Sequence, residues 1–461
     1  MLNESIIAEL CGIVGKDGIL STPEDLVAYS FDGTFAEHRP DVVVLPTTTE
    51  QISQIMALAS RERIPIVARG MATGLAAASV PFGGGIALSL TRMNRILEID
   101  EMNMIAHVEA GVITADLQKA VERLGLFYPP DPSSIRQSTI GGNIACNAGG
   151  PRCLKYGITG DYVLGLTTVL ADGRVLKSGG KAIKDVVGYD LNSLFTGSEG
   201  TLGIITEALL RLTAKPQFVR TACVEFLSLD DAARTVNAIL TAGIVPATLE
   251  MMDETAIACI EEAMQLGLPL DVAAILIIET DGSDEDAVVR EIEAIAHICQ
   301  ENGARAVNVA RDEEERATLW KARRSISPSL ARRAPNKLGE DITVPRSAIP
   351  EAIRRIKAIS AKYGLPIVIF GHAGDGNLHP NILFDKRDPD QWAKVEPMVG
   401  ELFDVALELG GTLSGEHGVG TLKRPYMEKA LGPISLDVQR GIKQAFDPLN
   451  ILNPGKVLPD A

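Results

Sequence analysis

The sequence predicts an α+β fold in more than one domain. Three observations carry that expectation. At 461 residues the chain is longer than one hydrophobic core usually serves. Short apolar, β-prone runs alternate with segments of helical spacing along its whole length. A break at Thr213-Ala214-Lys215-Pro216 separates a glycine-rich first half from a second half with a different rhythm of elements.

Residues 1–36 read as helical, with Thr22-Pro23-Glu24-Asp25 as a helix start. Asp41-Val42-Val43-Val44-Leu45-Pro46 is a strand that ends at proline, Thr49–Ala59 is a helix capped by Thr49, and Ile64–Ala68 is the next strand. That strand opens into Arg69-Gly70-Met71-Ala72-Thr73-Gly74-Leu75 and a run of alanines. Small residues let backbone N–H groups face a phosphate closely, and Arg69 adds charge. A small-residue turn packed under a helix fits that loop equally well. Tyr128-Pro129-Pro130-Asp131-Pro132 is a rigid turn, leading to Ser138-Thr139-Ile140-Gly141-Gly142-Asn143-Ile144-Ala145-Cys146-Asn147-Ala148-Gly149-Gly150. Uncharged and rich in glycine and asparagine, that stretch makes a poor surface loop and suits backbone laid against a large flat ligand. Ser198-Glu199-Gly200-Thr201-Leu202-Gly203, before Ile204-Ile205, repeats the theme. Residues 166–212 alternate strands and turns, with Ala171-Asp172-Gly173-Arg174 as a hairpin turn.

Beyond the break, Phe218–Leu227, Ala247–Met252 and Val272–Glu279 read as strands, and Asp230–Ala242 and Glu285–Asn302 as helices. This β-α-β-β-α-β rhythm predicts a ferredoxin-like second domain. Trp320–Ala331 is a basic helix and Pro350–Tyr363 another. Phe446–Lys456 is a turn-rich tail of ordered composition. The predicted domains are 1–216, 217–420 and a C-terminal segment 421–461 that returns to the first.

The net charge of −16 argues against nucleic-acid binding. The N-terminus lacks a basic region followed by an apolar run, so no signal peptide is expected, and no run is long enough to span a bilayer. The six cysteines form no C-x-x-C pair, which predicts neither an iron–sulfur cluster nor a disulfide framework. A cytoplasmic protein is expected, with peripheral attachment to the inner membrane through a partner admitted.

The chemistry concentrates near the end. Gly371-His372-Ala373-Gly374-Asp375-Gly376-Asn377-Leu378-His379 lies between two apolar, strand-like runs, and a hairpin there would bring His372 and His379 together. Downstream stands Gly415-Glu416-His417-Gly418. Two imidazoles and a carboxylate suit a divalent ion of the zinc or manganese type, iron being admitted, with His417 left over as a base. Asp375 and Asn377 are ordinary turn residues. His38, His107 and His297 join no constellation.

Taken together, the Arg69–Leu75 loop, Pro130-Asp131-Pro132-Ser133, Thr139–Asn143, Asn147–Gly150, Ser198–Gly203, the histidine segments and Asn453-Pro454-Gly455-Lys456 resemble the FAD-linked oxidases of the vanillyl-alcohol oxidase / p-cresol methylhydroxylase superfamily. Within it they resemble the glycolate oxidase / D-lactate dehydrogenase branch, from about Pro40 to Pro459. The resemblance implies a two-subdomain FAD-binding domain of the p-cresol methylhydroxylase type, a substrate (cap) domain and a C-terminal segment reaching back to the flavin. It implies FAD contacts from Pro46, the Arg69–Leu75 loop, Pro130, Asp131, Ser138, Thr139, Gly141, Gly142 and Asn143. Further contacts are implied from Ala145, Asn147, Gly149, Gly150, Glu199, Gly200, Gly203, Ile204, Ile205 and Asn453. The family's pyrophosphate loop commonly reads R-G-G-G-T-G, whereas this one adds Cβ groups at Met71 and Ala72. It holds no histidine or cysteine, which predicts non-covalent FAD.

The activity implied is oxidation of a small D-2-hydroxy acid, D-lactate or glycolate, with the hydride passing to flavin N5. His417 is the general base, His372, His379 and Glu416 are the metal ligands, and Arg323 is a catalytic and carboxylate-binding cation. Ser327, Lys337 and Asn381 join Arg323 as substrate-binding candidates. Electrons would leave to an iron–sulfur subunit, an electron-transferring flavoprotein, a quinone or a cytochrome, and a homodimer is admitted. The rival readings are a D-2-hydroxyglutarate dehydrogenase, a non-redox alkyl-dihydroxyacetonephosphate synthase-like flavoenzyme and a metallohydrolase.

Overall fold

A computed structural model describes residues 2–460. The chain divides into two units: Met1–Gly149, Ile158–Lys215 and Glu416–Ala461 form the first, Gly150–Gly157 and Pro216–Gly415 the second. One division falls at Lys215/Pro216, in the proline-marked turn. The return to the first unit begins at Glu416, and the octapeptide 150–157 belongs to the second unit. The reason for that excursion is visible in two side chains. Lys155 Nζ donates to Asp281 Oδ1 at 2.5 Å and the Tyr156 hydroxyl to Asp281 Oδ2 at 2.7 Å.

The first unit holds two main sheets. One is four-stranded, in the order Ile19–Leu20, Val42–Val44, Ile86–Ser89, Ile66–Arg69, and its last three strands are parallel. Helix Thr49–Glu62 lays Ile52, Ile55, Met56 and Ala59, all fully buried, onto the core beside it. Its cap is Thr48, one residue before the expected Thr49: the Thr48 hydroxyl accepts from Gln51 N at 3.2 Å. The other sheet is antiparallel and five-stranded, with Ile204–Arg211 central between Ile105–Glu109 and Val163–Val169. Alternation along that strand sends Ile204 into one core and Ile205 into the next. These two isoleucines thus serve packing with their side chains.

The segment Ile140–Cys146, read as backbone laid against a ligand, is a short α-helix capped by the Thr139 hydroxyl. Apolar Ile140 and Ile144, one turn apart, bury one face of it and override the two glycines. The tail is ordered: Ile66 N donates to Ile451 O and Asn453 N to Ile66 O, which extends the four-stranded sheet. Asp447, buried, secures the turn before it by accepting from Ile451 N, Leu452 N and Lys443 Nζ.

In the second unit we number the strands β1 (Phe218–Phe226), β2 (Thr248–Asp253), β3 (Ala274–Gly282), β4 (Ala304–Val309), β5 (Asn336–Gly339), β6 (Ile367–His372) and β7 (Asn377–Phe384). They lie in the order β4-β1-β3-β2-β6-β7-β5, with Ile342–Thr343 also paired to β7. The first four follow the 4-1-3-2 order of a ferredoxin-like unit, as the rhythm predicted, with one more helix, Glu254–Met264, between β2 and β3. Its helices start where polar caps put them: Ser228 and Asp284 cap the chain entries at Leu229 and Glu285. The basic helix is not continuous. Glu313–Arg324 ends at Ser325 and Ile326–Leu330 follows, so Ser327 is not on the helix that carries Arg323. Among the described residues no helix is long and apolar enough to cross a membrane, and the six cysteines are all free.

Candidate active site

The histidine hairpin is tighter than the sequence suggests. β6 and β7 pair antiparallel through His372 and Asn377, so the turn is only four residues long and both histidines belong to strands. Gly376 makes the turn possible at φ +83°, and a Cβ there would lie 2.1 Å from Val344 O. The imidazoles of His372 and His379, both buried, meet edge to face with centroids 5.1 Å apart.

β2 sets the rest. Its register with β6 places Glu250 opposite His372. The Glu250 carboxylate, fully buried, lies 2.6 Å from His372 Nδ1. It also takes Arg323 Nε at 2.6 Å and Nη2 at 2.5 Å. Burial pushes the Glu250 carboxyl up, but Arg323 and His372 outweigh it and hold it below the usual carboxylate range. The guanidinium of Arg323 also lies 5.0 Å from the centre of the Phe370 ring. Asp253, at the end of β2, accepts from Ile369 N and Lys357 Nζ and so pins β6 at the other end.

Sequence reasoning did not single out Glu250. The available signal was a lone carboxylate in Thr248-Leu249-Glu250-Met251-Met252, a run otherwise apolar and strand-like. Such a charge is retained in a buried strand only when it is paired.

Of the substrate candidates, Lys337 donates to the hydroxyl of Ser327, and burial lowers the Lys337 pKa. Asn381 is buried on β7 and donates to His379 O at 2.9 Å. Asn377 does more than shape a turn: its amide donates to Ile342 O and Thr343 Oγ1. The chain approaching Glu416 is fixed by Asp341, which is fully buried and accepts from the Ser414 hydroxyl and, at 2.7 Å, from Gly415 N. The candidate ligand atoms of His372 and His379 lie within 4.8 Å of each other. His417 Nε2 is 3.7 Å from Glu416 Oε1. Two buried imidazoles, one of them backed by the Glu250 carboxylate at its Nδ1, fit the ligand set of a divalent ion.

In the first unit the glycine-rich segments press on one another. A Cβ on Gly70 would lie 2.2 Å from Thr139 Oγ1, and one on Gly141 2.6 Å from the Ala110 Cβ. Ala72, where the family loop commonly has glycine, sits at φ +53°. The backbone therefore keeps the bent path that glycine would allow freely. Arg69 is buried and donates to Tyr29 O and Phe31 O, so it braces the N-terminal segment. Its Nε and Asp32 Oδ2 are buried without a hydrogen-bond partner among the described residues. They form a donor and an acceptor of the kind that phosphate and ribose groups satisfy. Asn143 donates to Thr114 Oγ1 and Asn147 accepts from Gly160 N, so both amides hold the chain's own loops. Asn453 donates to Ala78 O and Glu199 O. Glu199, expected to contact FAD, directs both carboxylate oxygens to Val419 N and Gly420 N.

Residues 40–179 match the family described as FAD binding domain, and residues 215–457 that described as FAD linked oxidases, C-terminal domain. The chain belongs to the FAD-linked oxidases. It binds FAD, and the glycine-rich first unit fits that cofactor on the geometry just given. This oxidase is 48% identical over 458 residues to glycolate oxidase subunit GlcD of Bacillus subtilis (strain 168), covering 99% of this chain and 97% of that protein. It is 35% identical over 430 residues to the D-lactate dehydrogenase of Anaerostipes hadrus, covering 92% and 90%. Its fold is that of the crystal structure of p-cresol methylhydroxylase with substrate bound, at a TM-score of 0.83 and 20% identity, covering 100% of this chain and 98% of that one.

Gly420 tests the first unit's packing. A Cβ there would lie 1.8 Å from the backbone oxygen of Ala76, at φ +51°. Overpacking and a left-handed side chain together should destabilise Gly420→Ala by about 2–5 kcal/mol. Thermal unfolding of the FAD-loaded protein measures this, and an unchanged midpoint contradicts it.

Proposed function

We propose that this oxidase converts a small 2-hydroxy acid, D-lactate or glycolate, to the 2-oxo acid and passes the electrons from FAD to a separate acceptor. The observation that carries the reading is the pair of buried histidines, His372 and His379, on one hairpin of an FAD-linked oxidase, with Glu416-His417 in its sequence as further donors. The names of the two relatives support it, and the word "subunit" in one of them supports a protein partner for electron transfer: an iron–sulfur protein or an electron-transferring flavoprotein ahead of a quinone or cytochrome.

His372, His379 and Glu416 would hold a divalent ion, zinc or manganese, through ring nitrogens and a carboxylate oxygen. When bound, that ion supplies a Lewis acid and the flavin a two-electron acceptor. His417 accepts the hydroxyl proton at a ring nitrogen, a task suited to an imidazole near neutral pH. Glu250 occupies the Nε–Nη2 edge of Arg323. The Nη1–Nη2 edge therefore receives the substrate carboxylate, with the fork geometry that favours arginine over lysine there. Asn381 orients His379 through its carbonyl and the Ser327 hydroxyl adds a donor. Lys337, joined to Ser327, favours a second reading, a longer diacid such as D-2-hydroxyglutarate, because its ammonium would meet a distal carboxylate.

Metal removal tests the reading. Exhaustive chelation should leave FAD on the protein and abolish bleaching of the flavin by substrate, and added zinc or manganese should restore it. A metal-free, FAD-loaded protein that is bleached at the original rate contradicts it.

A further inference from the structure

We propose that Glu199 is a positioning residue for His417, holding the backbone that follows it. The inference rests on the reading of His417 as the base. Glu199 is buried and stands in the left-handed region at φ +51°, inside the turn Ser198–Gly203. Its own backbone is tied at both ends: its N–H donates to Ala145 O at 2.8 Å, and its carbonyl accepts from Asn453 Nδ2 at 2.7 Å. From that fixed base the side chain reaches across to the loop after His417. Oε1 accepts from Val419 N at 2.7 Å and Oε2 from Gly420 N at 2.8 Å.

Two successive N–H groups held by the two oxygens of one carboxylate set the orientation of that peptide, and with it the direction from which the chain leaves His417. Hydrogen bonds between groups removed from water are electrostatically stronger than exposed ones. The fit is close. A Cβ on Gly418, at φ +83°, would stand 2.8 Å from Glu199 Oε1. Gly418 and Gly420 both have left-handed backbones, so this stretch has little conformational preference of its own and depends on outside anchors. Further anchors lie beyond His417 on the same side: Thr421 N donates to Ala76 O and Val457 N to Gly420 O. Glu199 is the anchor nearest to His417 in sequence among those hydrogen bonds. It also joins the base to the Ser198–Gly203 turn, whose glycines belong to the flavin-binding pattern.

Glutamine at 199 isolates the effect. It keeps the size but offers one acceptor oxygen, and its NH₂ would oppose a backbone N–H. In the FAD-loaded, metal-replete full chain, Glu199→Gln should retain FAD and its substrate dissociation constant. The limiting rate of flavin reduction should fall by about 10- to 100-fold, the loss expected when a reacting group is displaced by roughly 1 Å. The same substitution added to His417→Ala should slow that variant no further, because two residues that act as one unit are not additive. Gly418→Ala, which pushes the loop off an intact Glu199, should show the same pattern and replaces Glu199→Gln if that variant does not fold. A wild-type reduction rate in Glu199→Gln, an additive loss in the double variant, or a lost rate that excess FAD restores would each overturn the inference. Undiminished flavin reduction in His417→Ala would instead overturn the assignment of the base.

Discussion

His417→Ala should yield a yellow, folded protein whose flavin is reduced by substrate about 10²–10⁴-fold more slowly, the usual loss on removing a general base. The side chain is half-buried and stands at the end of a loop held by backbone hydrogen bonds, so its loss leaves the core and the FAD segments untouched. The proposed metal ligands remain, which separates this variant from chelation. Affinity for substrate should change little, because the proposed carboxylate partner Arg323 and the proposed metal ligands are intact. Anaerobic rapid mixing measures the rate directly, and near-normal reduction would show that the proton goes elsewhere.

Glu250→Ala should act in two ways at once. The carboxylate is fully buried and is the partner of both His372 and Arg323. Without it, the Arg323 guanidinium is left buried and uncompensated, a change that typically destabilises by about 3–5 kcal/mol. His372 loses the carboxylate that fixes its tautomer and ring direction, and such losses reduce metal affinity by about 10–100-fold. Denaturant unfolding and zinc titration read the two effects separately. A variant that keeps both values would show that Glu250 neither balances Arg323 nor orients His372.

Much of the first unit is legible in the sequence because cofactor-binding segments are written in contiguous, oddly composed stretches. Small residues rich in glycine stand out at 70–75, 139–150 and 198–203. The 4-1-3-2 strand order of the second unit follows from periodicity, and the two histidines from the turn between two apolar runs. What periodicity does not supply is register. Glu250 meets His372 because β2 pairs with β6, strands 122 residues apart at that contact, and no local pattern encodes such a pairing. Asp341 and its hold on Gly415 are hidden for the same reason. For Glu199 the segment is readable and the side chain's partner is not. Its backbone follows a local motif, whereas its carboxylate is directed to a loop more than two hundred residues later. Ile140–Cys146 is not legible as a helix because its glycines carry little helical preference, while the tertiary burial of Ile140 and Ile144 decides for helix.

The most direct measurement is anaerobic bleaching of the flavin absorbance by D-lactate, L-lactate, glycolate and D-2-hydroxyglutarate, each mixed separately with the purified, metal-replete protein. Rapid bleaching by D-lactate or glycolate is the predicted result, and rapid bleaching by D-2-hydroxyglutarate alone would transfer the assignment to the longer diacid. A yellow protein that none of the four acids bleaches would contradict oxidation of a 2-hydroxy acid at this site.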